Sequence, residues 1–255
     1  MKTFLDIYSD YGSIVSKSSE LSTGNMHAKN VLSQVPRVWK TTSDTVHTII
    51  GTLAFSDSNS FIVPIDSYYI AMEYVPEGST FTLEILTDLF SPPTHTYTFV
   101  NDYNSGPIFG LGGVFSVGFF WKLTIHTIVP SYINISRIMI GQAWVPNLTV
   151  CGDITLNKQG FLKPERKRNG GVYLPPSTNY ITSTLTYKEL DKTSLFSLQD
   201  ALCRYGTGTT VFVEGLVNTS AEKSTSMYGR LIKWTEPQKS VSGNYSISIT
   251  IEESL

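Results

Sequence analysis

The feature that most constrains the fold of this chain is a long succession of short segments in which apolar and polar residues alternate. Residues 80–86 alternate without a break, and so do residues 244–252 near the end of the chain. Alternation with a period of two places one set of side chains on a buried face of a sheet and the other set on a wet face. About eight strand-like segments follow one another between residues 35 and 149, without a convincing helix between them. This rhythm predicts a mainly β chain that begins with a β-sandwich of the jelly-roll type.

Two glycine-containing segments inside this region are interpreted as connections between strands. Residues 76–79 read Pro-Glu-Gly-Ser, a good turn signal because Gly78 can supply the positive φ that such turns use. Residues 106–118 are rich in glycine and are predicted to form a flexible hairpin or a bulged rim loop. A run of glycines of this kind resembles a nucleotide loop superficially, but it lacks the Lys-Ser/Thr pair and the following helix that would contact phosphates.

The stretch at residues 137–146, Arg-Ile-Met-Ile-Gly-Gln-Ala-Trp-Val-Pro, is predicted to close the sandwich. Its three apolar residues indicate a buried strand that ends at Gly141, where glycine allows a tight bend or a close backbone approach. Trp144 then folds back as a large apolar plug, and Pro146 stops the ladder because it has no N–H to donate. The stretch shows no chemistry of its own.

Beyond residue 150 the pattern changes, and one segment has helical periodicity. In residues 194–206 apolar residues recur at intervals of three and four, and Gly206 is a fitting stop. Strand-like segments surround this helix, so a smaller α+β domain is predicted. The predicted division is an N-terminal arm at 1–34, a sandwich at 35–149 and the α+β domain at 150–255. Two arrangements are open for the arm: it orders against a neighbouring protein, or it docks on its own sandwich.

The composition disfavours several classes of function. Charged residues are 16% of the chain, against roughly 25% in typical soluble domains, and the formal net charge is −2. The chain therefore lacks the excess of positive charge that is typical of nucleic-acid-binding proteins. Residues 107–129, the most apolar window, are interrupted by glycine, proline, lysine and histidine, which makes a membrane helix unexpected. Asp6 interrupts the apolar core that a secretory signal would need, and Cys151 and Cys203 are predicted to be reduced, packed thiols.

Four short patterns carry a resemblance to a known type of protein. Residues 37–40 read Arg-Val-Trp-Lys, and residues 137–146 form the closing stretch described above. Residues 228–231 read Tyr-Gly-Arg-Leu, and residues 249–252 read Ile-Thr-Ile-Glu. Their order resembles that of a type of tailed-bacteriophage virion protein, in which the first pattern opens a galactose-binding-like sandwich and the second closes it. Lys40 departs from that pattern, because those proteins usually have arginine there.

The resemblance covers roughly residues 35–255. It implies a structural subunit of a phage tail, baseplate or neck, present in multiple copies and held by protein contacts. The residues that carry it are expected to have structural roles; they are Arg37, Trp39, Arg137, Gly141, Trp144 and Pro146.

Residue types that carry chemistry are present but scattered. Glu73 and Glu84 would suit a glycosidase if they faced each other across neighbouring strands, but a solvated face is the better interpretation. No two of the four histidines, His27, His47, His95 and His126, have metal-ligand spacing. The basic run at residues 163–168 is interpreted as a solvated loop, since nothing aromatic interleaves it. No catalytic residue, metal or cofactor is therefore expected.

Aromatic residues of the sandwich region give the best indication of a ligand, because sugar rings stack on exposed aromatic side chains. A jelly roll also needs aromatic residues in its core, and a register error of one residue would exchange the two faces. Both interpretations stay open for Tyr68, Tyr69, Tyr74, Tyr97, Tyr103 and Trp121.

The sequence thus leads to one functional hypothesis and one alternative. The first is a non-enzymatic subunit of a phage virion, assembled in the host cytoplasm, whose partners are copies of itself and other virion proteins. Neither nucleic acid nor a membrane is expected as a partner. The alternative is a carbohydrate-binding module or receptor-binding tip protein, whose partner would be a glycan. A glycan-acting enzyme is the weakest hypothesis.

Overall fold

The computed structural model describes the chain between residues 3 and 253, with gaps. The described residues are 3–7, 9, 12–18, 20–21, 26–32, 38–54, 63–111, 113–146, 153–161, 165–166, 172–173, 178–207, 210–213 and 227–253. The chain divides into two compact units, Phe4–Trp144 and Val145–Leu255.

The first unit is built from strands and one short 3₁₀ helix, Ala28–Leu32. The alternation seen in the sequence explains the strands: in residues 80–86, every second side chain, beginning at Phe81, is buried. The strands are β1 (Thr3–Ile7), β2 (Ile14–Lys17), β3 (Trp39–Lys40), β4 (Asp44–Thr52), β5 (Val63–Ile65), β6 (Ser67–Tyr74), β7 (Thr80–Leu86), β8 (His95–Val100), β9 (Gly106–Gly110), β10 (Ser116–Gly118), β11 (Phe120–Ser131) and β12 (Asn134–Trp144).

These strands form two larger antiparallel sheets and one small pair. One sheet has five strands in the order β2-β4-β11-β7-β8. The other contains the strands β1-β12-β6-β9, and β3 also pairs with β12. Strands β5 and β10 pair with each other. The two larger sheets are thus the layers of a sandwich, with free edges at β2 and β8 in the first.

One apolar core joins the two sheets. Trp121 of the five-stranded sheet and Trp39 of the other are both fully buried in it. Trp121 is paired with Gly51 across the ladder, and its indole lies so close that a Cβ on Gly51 would be 2.6 Å from the ring. The 3₁₀ helix also reaches this core through Ala28 and Val31, and it packs against β12. Burial on this scale is the main source of stability of such a sandwich.

The predicted mainly β fold, with a sandwich and one α-helix, is confirmed. The turn at residues 76–79 is also confirmed: Gly78 has a φ of 78°, and the N–H of Ser79 donates to the carbonyl oxygen of Pro76 at 3.2 Å. The described part of the predicted N-terminal arm pairs with the sandwich, since β2 adds to the edge of β4.

Two local predictions are wrong. The strand predicted to end at Gly141 continues to Trp144, because Asp66, the residue before the start of β6, extends the ladder. The N–H of Asp66 donates to the carbonyl oxygen of Gly141 at 3.0 Å, and its carboxylate accepts from the N–H of Ala143 at 2.9 Å. The segment predicted as a flexible hairpin or a bulged rim loop, residues 106–118, contains strands β9 and β10, which pair with β6 and β5 and not with each other.

The second unit contains a sheet in the order β13-β16-β20-β18-β17, and β19 pairs with β20. Strands β14 and β15 form a separate pair. The elements are β13 (Asp153–Phe161), β14 (Glu165–Arg166), β15 (Val172–Tyr173), β16 (Thr178–Leu190), α1 (Lys192–Tyr205), β17 (Thr210–Val213), β18 (Met227–Trp234), β19 (Gln238–Lys239) and β20 (Tyr245–Glu253).

Helix α1 is the helix predicted from the apolar periodicity. Asp191 caps its N-terminus by accepting from the N–H of Ser194 at 3.2 Å, and Gly206, with a φ of 71°, ends it. The apolar residues Leu198 and Leu202 of the predicted stripe are buried. Within the described ranges, no helix combines the length and the apolar character that crossing a membrane requires.

Candidate functional site

Of the six residues singled out by the virion resemblance, four are buried in the first unit, one is half-buried near the start of the second unit, and one is outside the described residues. Trp39 and Arg137 are buried, Gly141 and Trp144 are buried parts of β12, and Pro146 is the half-buried residue. Arg37 is outside the described residues, as are Cys151 and most of the basic run at 163–168. Cys203, which was predicted to be a packed thiol, is exposed.

Four of the six aromatic residues considered for sugar stacking are occupied by packing. Trp121 and Tyr69 are core residues. Tyr68 and Tyr97 line a seam between β6 and the edge strand β8, with their ring centroids 5.1 Å apart. Burial raises the pKa of Tyr68, and burial together with the charge of Asp66 raises the pKa of Tyr97 to about 12. This seam closes one lateral side of the sandwich.

The other two, Tyr74 and Tyr103, reach the surface. Tyr74 is half-buried at the end of β6 and meets Tyr132, which the sequence reasoning missed. The two ring centroids are 4.9 Å apart, and the ring planes are tilted by 33°. Tyr132 lies in the connection between β11 and β12 and keeps 41% of its surface exposed. Two neighbouring tyrosines therefore present aromatic surface to solvent.

Two polar side chains complete this surface, which we call the tyrosine patch: Lys40, Tyr74, Tyr132 and Asn134. In the ladder Asn134 is paired with Lys40 on one side and with Tyr74 on the other. Residues directly opposite each other in a sheet project from the same face. The next residues along, Trp39 and Ile135, point into the core, so Lys40 and Asn134 point outward. The register of β3 and β12 places Lys40 beside Asn134, and the ring contact with Tyr132 brings in Tyr74, where the pairing of β6 with β12 is irregular.

The patch is a hydrogen-bonding surface whose one charged group is the ammonium of Lys40. The ammonium of Lys40 lies 4.6 Å from the centroid of the Tyr132 ring, a cation–π contact. The amide oxygen of Asn134 is buried and has no hydrogen-bond partner among the described residues. Lysine offers donors only, whereas tyrosine hydroxyls offer both donors and acceptors.

A second surface feature lies on the loops that follow β7 and β9. Four apolar side chains, which we call the apolar tip, are exposed there; they are Leu89 (39%), Phe90 (98%), Val114 (60%) and Phe115 (62%). Asp88 holds the first loop in shape: its carboxylate accepts from the N–H groups of Phe90 and Ser91, both at 2.8 Å. These hydrogen bonds, with that of the Ser91 hydroxyl first among them, lower the pKa of Asp88.

The two loops of the apolar tip are tied together by hydrogen bonds. The hydroxyl of Thr94 donates to the carbonyl oxygen of Val117 at 2.8 Å, and the Tyr97 hydroxyl donates to that of Val114 at 3.0 Å. The tip is therefore a preformed surface.

The structure brings no catalytic or metal-binding constellation together among the described residues. Glu84 lies in the five-stranded sheet and pairs with Lys122 at 2.7 Å, whereas Glu73 lies on β6 of the other sheet. The two carboxylates therefore do not face each other across neighbouring strands. His47 is buried between backbone carbonyls, and in the described ranges no group of three or more potential ligand residues could hold a metal ion.

The sequence contains a signal for Tyr132, the residue of the tyrosine patch that was not predicted. Residues 132–135 read Tyr-Ile-Asn-Ile, which alternates, and Ile133 and Ile135 are the core residues. Alternation around these two isoleucines places Tyr132 and Asn134 outward. What alternation could not supply is their neighbours, because Lys40 and Tyr74 are far away in the chain.

Comparisons with known proteins give similarity to solved structures only. No protein-family model matches the chain, and no curated protein matches it. The chain is similar to chitosan-binding module 1 of a chitosanase/glucanase from Paenibacillus sp. IK-5 (TM-score 0.39, 12% identity, covering 49% of this chain and 91% of that one). It is also similar to a Clostridium perfringens protein in complex with GalNAc-β-1,3-galactose (TM-score 0.41, 11% identity, 53% and 99%).

A third similar structure is the F-lectin (fucolectin) from the serum of Morone saxatilis, striped bass (TM-score 0.40, 10% identity, covering 98% of this chain and 94% of that one). Similarity at this level is confined to the fold and says nothing about a ligand of this chain.

Proposed function

We propose that the sandwich binds carbohydrate at the tyrosine patch, without catalysis. The observation that carries this proposal is the pair Tyr74 and Tyr132, whose rings meet at 4.9 Å on an outward face beside Lys40 and Asn134. Aromatic side chains with a polar end suit ligands that have one apolar face and a hydroxylated rim. A pyranose ring is such a ligand.

Each side chain of the patch would make a different contact with the sugar. The apolar C–H face of a sugar packs on the exposed ring surface of Tyr132, and water leaves both surfaces. The Lys40 ammonium donates to sugar hydroxyls, and the tyrosine hydroxyls can donate or accept. The patch has one cation and no carboxylate, so it suits neutral or acidic sugars better than basic ones.

A patch of four residues is expected to bind one sugar weakly. Small contacts leave little surplus after the entropy of association, and about −4 kcal/mol corresponds to a millimolar Kd. Several copies of the chain on one particle would raise the overall affinity, because later contacts form at a high effective concentration. Carbohydrate recognition and a multi-copy assembly are therefore compatible roles.

The test is a glycan array probed with the full chain, followed by calorimetry on the best glycan. Tyr132→Ala should weaken binding at least tenfold, since it removes the most exposed ring of the patch. Phe90→Ala, which removes an exposed aromatic ring elsewhere, is the matched control and should leave the affinity per subunit, measured by calorimetry, unchanged. If no glycan binds, or if the two variants behave alike, the proposal is wrong.

We also propose a second candidate, the structural subunit of a phage tail, baseplate or neck, and the apolar tip favours it. Exposed apolar patches on soluble proteins mark contacts with other proteins. Preformed loops with aromatic anchors are well suited to such contacts, because little conformational entropy is lost when they bind. The tip supports assembly through protein contacts, and the virion itself follows from the sequence resemblance.

Light scattering over a range of concentrations, with and without the proteins encoded alongside this chain, tests the second candidate. We expect a closed oligomer, or a monomer that assembles with those partners, and Phe90→Ser should reduce the assembled fraction severalfold. Tyr132→Ala serves as the control with an intact tip. A monomer at every concentration that ignores all partners would contradict the assembly role.

A further inference from the structure

A cleft lies on the side of the sandwich opposite the aromatic seam, and neither proposed function uses it. Its volume is about 360 Å³, within the range of ligand-binding pockets in proteins. One wall is the whole of strand β2, and the other is formed by Glu20 and the start of the 3₁₀ helix. We call it the edge cleft; its lining residues are Ile14, Val15, Ser16, Lys17, Glu20, His27, Ala28 and Lys29.

The cleft runs along the free edge of the five-stranded sheet. Strand β2 is the outermost strand of that sheet, and all four of its residues, Ile14–Lys17, line the cleft. Successive side chains of a strand point to opposite faces of a sheet, so a cleft on one face would touch only alternate residues. The pairing of β2 with β4 shifts register between Ile14 and Ser16, so this argument applies to Ser16 and Lys17. Contact with both of these consecutive residues places the cleft alongside the strand.

The register of β2 turns the backbone of Lys17 toward the cleft. The N–H of Ser18 donates to the carbonyl oxygen of Thr48 at 2.8 Å, and Lys17 is paired with Ile49. In an antiparallel ladder, hydrogen-bonded and non-hydrogen-bonded pairs alternate. The N–H of Ser18 therefore points toward β4, and the N–H of Thr48 donates to the Ser18 hydroxyl at 2.8 Å. Because the backbone groups of successive residues in a strand point to opposite sides, the N–H and C=O of Lys17 point away from β4. An edge strand with outward-pointing backbone groups is a template for a further strand.

The opposite wall is held in place before any ligand arrives. One Glu20 carboxylate oxygen accepts from Lys17 and from the N–H of Ala28 at 3.2 Å, and the other contacts Nδ1 of His27 at 2.5 Å. Burial opposes ionisation of Glu20, but these hydrogen bonds and the charge of Lys17 outweigh it and lower its pKa to about 2. The carboxylate is thus ionised at neutral pH and ties the two walls together.

The wall is also anchored to the other sheet. The N–H of Leu21 donates to the carbonyl oxygen of Lys40 at 2.9 Å, and the N–H of Lys40 donates to that of Met26 at 3.3 Å. The distance between the walls is therefore fixed by the two sheets.

The charges of the cleft favour an anionic ligand. Among the described residues that line it, Lys17 and Lys29 are cations and Glu20 is the only carboxylate, so cations outnumber carboxylates by two to one. Glu20 already pairs with Lys17, whereas Lys29 is exposed and has no ion pair among the described residues. Ile14 and Ala28 give the interior an apolar lining. Apolar side chains would fit inside, and acidic ones would meet Lys29.

We propose that the edge cleft binds an extended acidic peptide segment of a partner protein, which adds to β2 as a further antiparallel or parallel strand. Main-chain hydrogen bonds to Lys17 supply the affinity, and Lys29 selects acidic side chains.

The experiment uses fluorescence anisotropy on the full chain with three labelled heptapeptides. In the first valine alternates with glutamate, in the second valine alternates with lysine, and the third is the first with proline at its central positions. We expect the glutamate peptide to bind at least about tenfold more tightly than the other two. Proline removes main-chain donors, and the lysine peptide reverses the charge. Equal binding of the proline and glutamate peptides would overturn strand addition, because charge attraction would then account for the whole affinity.

Two variants and one exchange measurement locate the binding site. Lys29→Glu should weaken the glutamate peptide by about threefold to tenfold, as expected for a partly exposed charge pair. Lys239→Glu makes the same change of charge at an exposed lysine of the second unit and should have no effect. Bound peptide should also slow hydrogen exchange of the Lys17 amide. Binding that ignores Lys29→Glu, unchanged exchange at Lys17, or no binding by any peptide would overturn the proposal.

Discussion

His47 is a buried titratable residue at a break in the sandwich. Its pair of strands, β4 and β11, loses regular register between His126 and Ser131. Nε2 of His47 lies 3.1 Å from the carbonyl oxygen of Asp44 and 3.0 Å from that of Ser131, one on each strand. Because both neighbours are acceptors, Nε2 carries a proton and donates. The neutral imidazole therefore holds together the two strands where their ladder is interrupted.

The burial of His47 makes the stability of the sandwich depend on pH. Desolvation lowers the pKa of His47 from its ordinary value of 6.5. The unfolded chain then binds a proton that the folded chain does not, so the free energy of unfolding falls as the pH drops below 6.5 toward the lowered pKa, by at most about 1.4 kcal/mol per pH unit. Urea denaturation at several pH values between 7.5 and 5 measures this.

Two substitutions separate His47 from the other histidines. His47→Gln should flatten the pH profile, at a lower overall stability because a two-strand contact is lost. His126→Gln removes an exposed histidine of the neighbouring strand and should leave the profile as it is. A profile that is equally steep in the His47 variant would show that another group is responsible.

At the scale of elements, the helix α1 depends on its N-cap. The first N–H groups of a helix have no partners within the helix, and Asp191 accepts from one of them, that of Ser194, at 3.2 Å. Asp191→Ala should therefore lower the stability of the second unit by about 1 kcal/mol, whereas Asp191→Asn keeps an accepting oxygen and should cost less. Thermal unfolding followed by far-UV circular dichroism compares the two. Equal losses would mean that the charge of Asp191, and not its capping, is what matters.

The same helix illustrates which elements are predictable from the sequence. Its stripe of leucines and its stop at Gly206 are all local signals, and so is the turn at Gly78. Strand β9 is different, because its Gly110 packs closely against Tyr68: a Cβ on Gly110 would lie 2.9 Å from the Tyr68 ring. No residue near Gly110 in the sequence indicates this close contact. The glycines of β9 were therefore interpreted as signs of a loop.

The candidate site depends even more on contacts between distant residues. Alternation shows that Tyr132 and Asn134 face outward, but Lys40 and Tyr74 become their neighbours only through strand register. Likewise, Gly141 was expected to end its strand, since the role of Asp66 in prolonging the ladder has no local signature. The sequence thus predicts which residues face outward better than it predicts which of them meet.

At the scale of the first unit, the tyrosine patch and the apolar tip lie at opposite ends of one strand. Tyr74 ends β6, and the tip adjoins the residue before its start, since the N–H of Gly113 donates to the carbonyl oxygen of Asp66 at 2.8 Å. A strand of this length spans roughly 23 Å at 3.3 Å per residue. If both proposals hold, one sandwich would contact a glycan at one end and a protein at the other, with the edge cleft on its lateral side.

This separation leads to a prediction about the whole molecule. Substitutions more than 7–10 Å apart with no shared partners act additively. We therefore expect Tyr132→Ala to leave the assembled fraction unchanged and Phe90→Ala to leave glycan affinity unchanged. The double variant should show both single effects at their full size. Calorimetry should give the weaker glycan affinity, and light scattering on the same samples should give the smaller assembled fraction. If Phe90→Ala weakened glycan binding per subunit as much as Tyr132→Ala does, the two surfaces would be one site, and the division into a glycan end and an assembly end would be wrong.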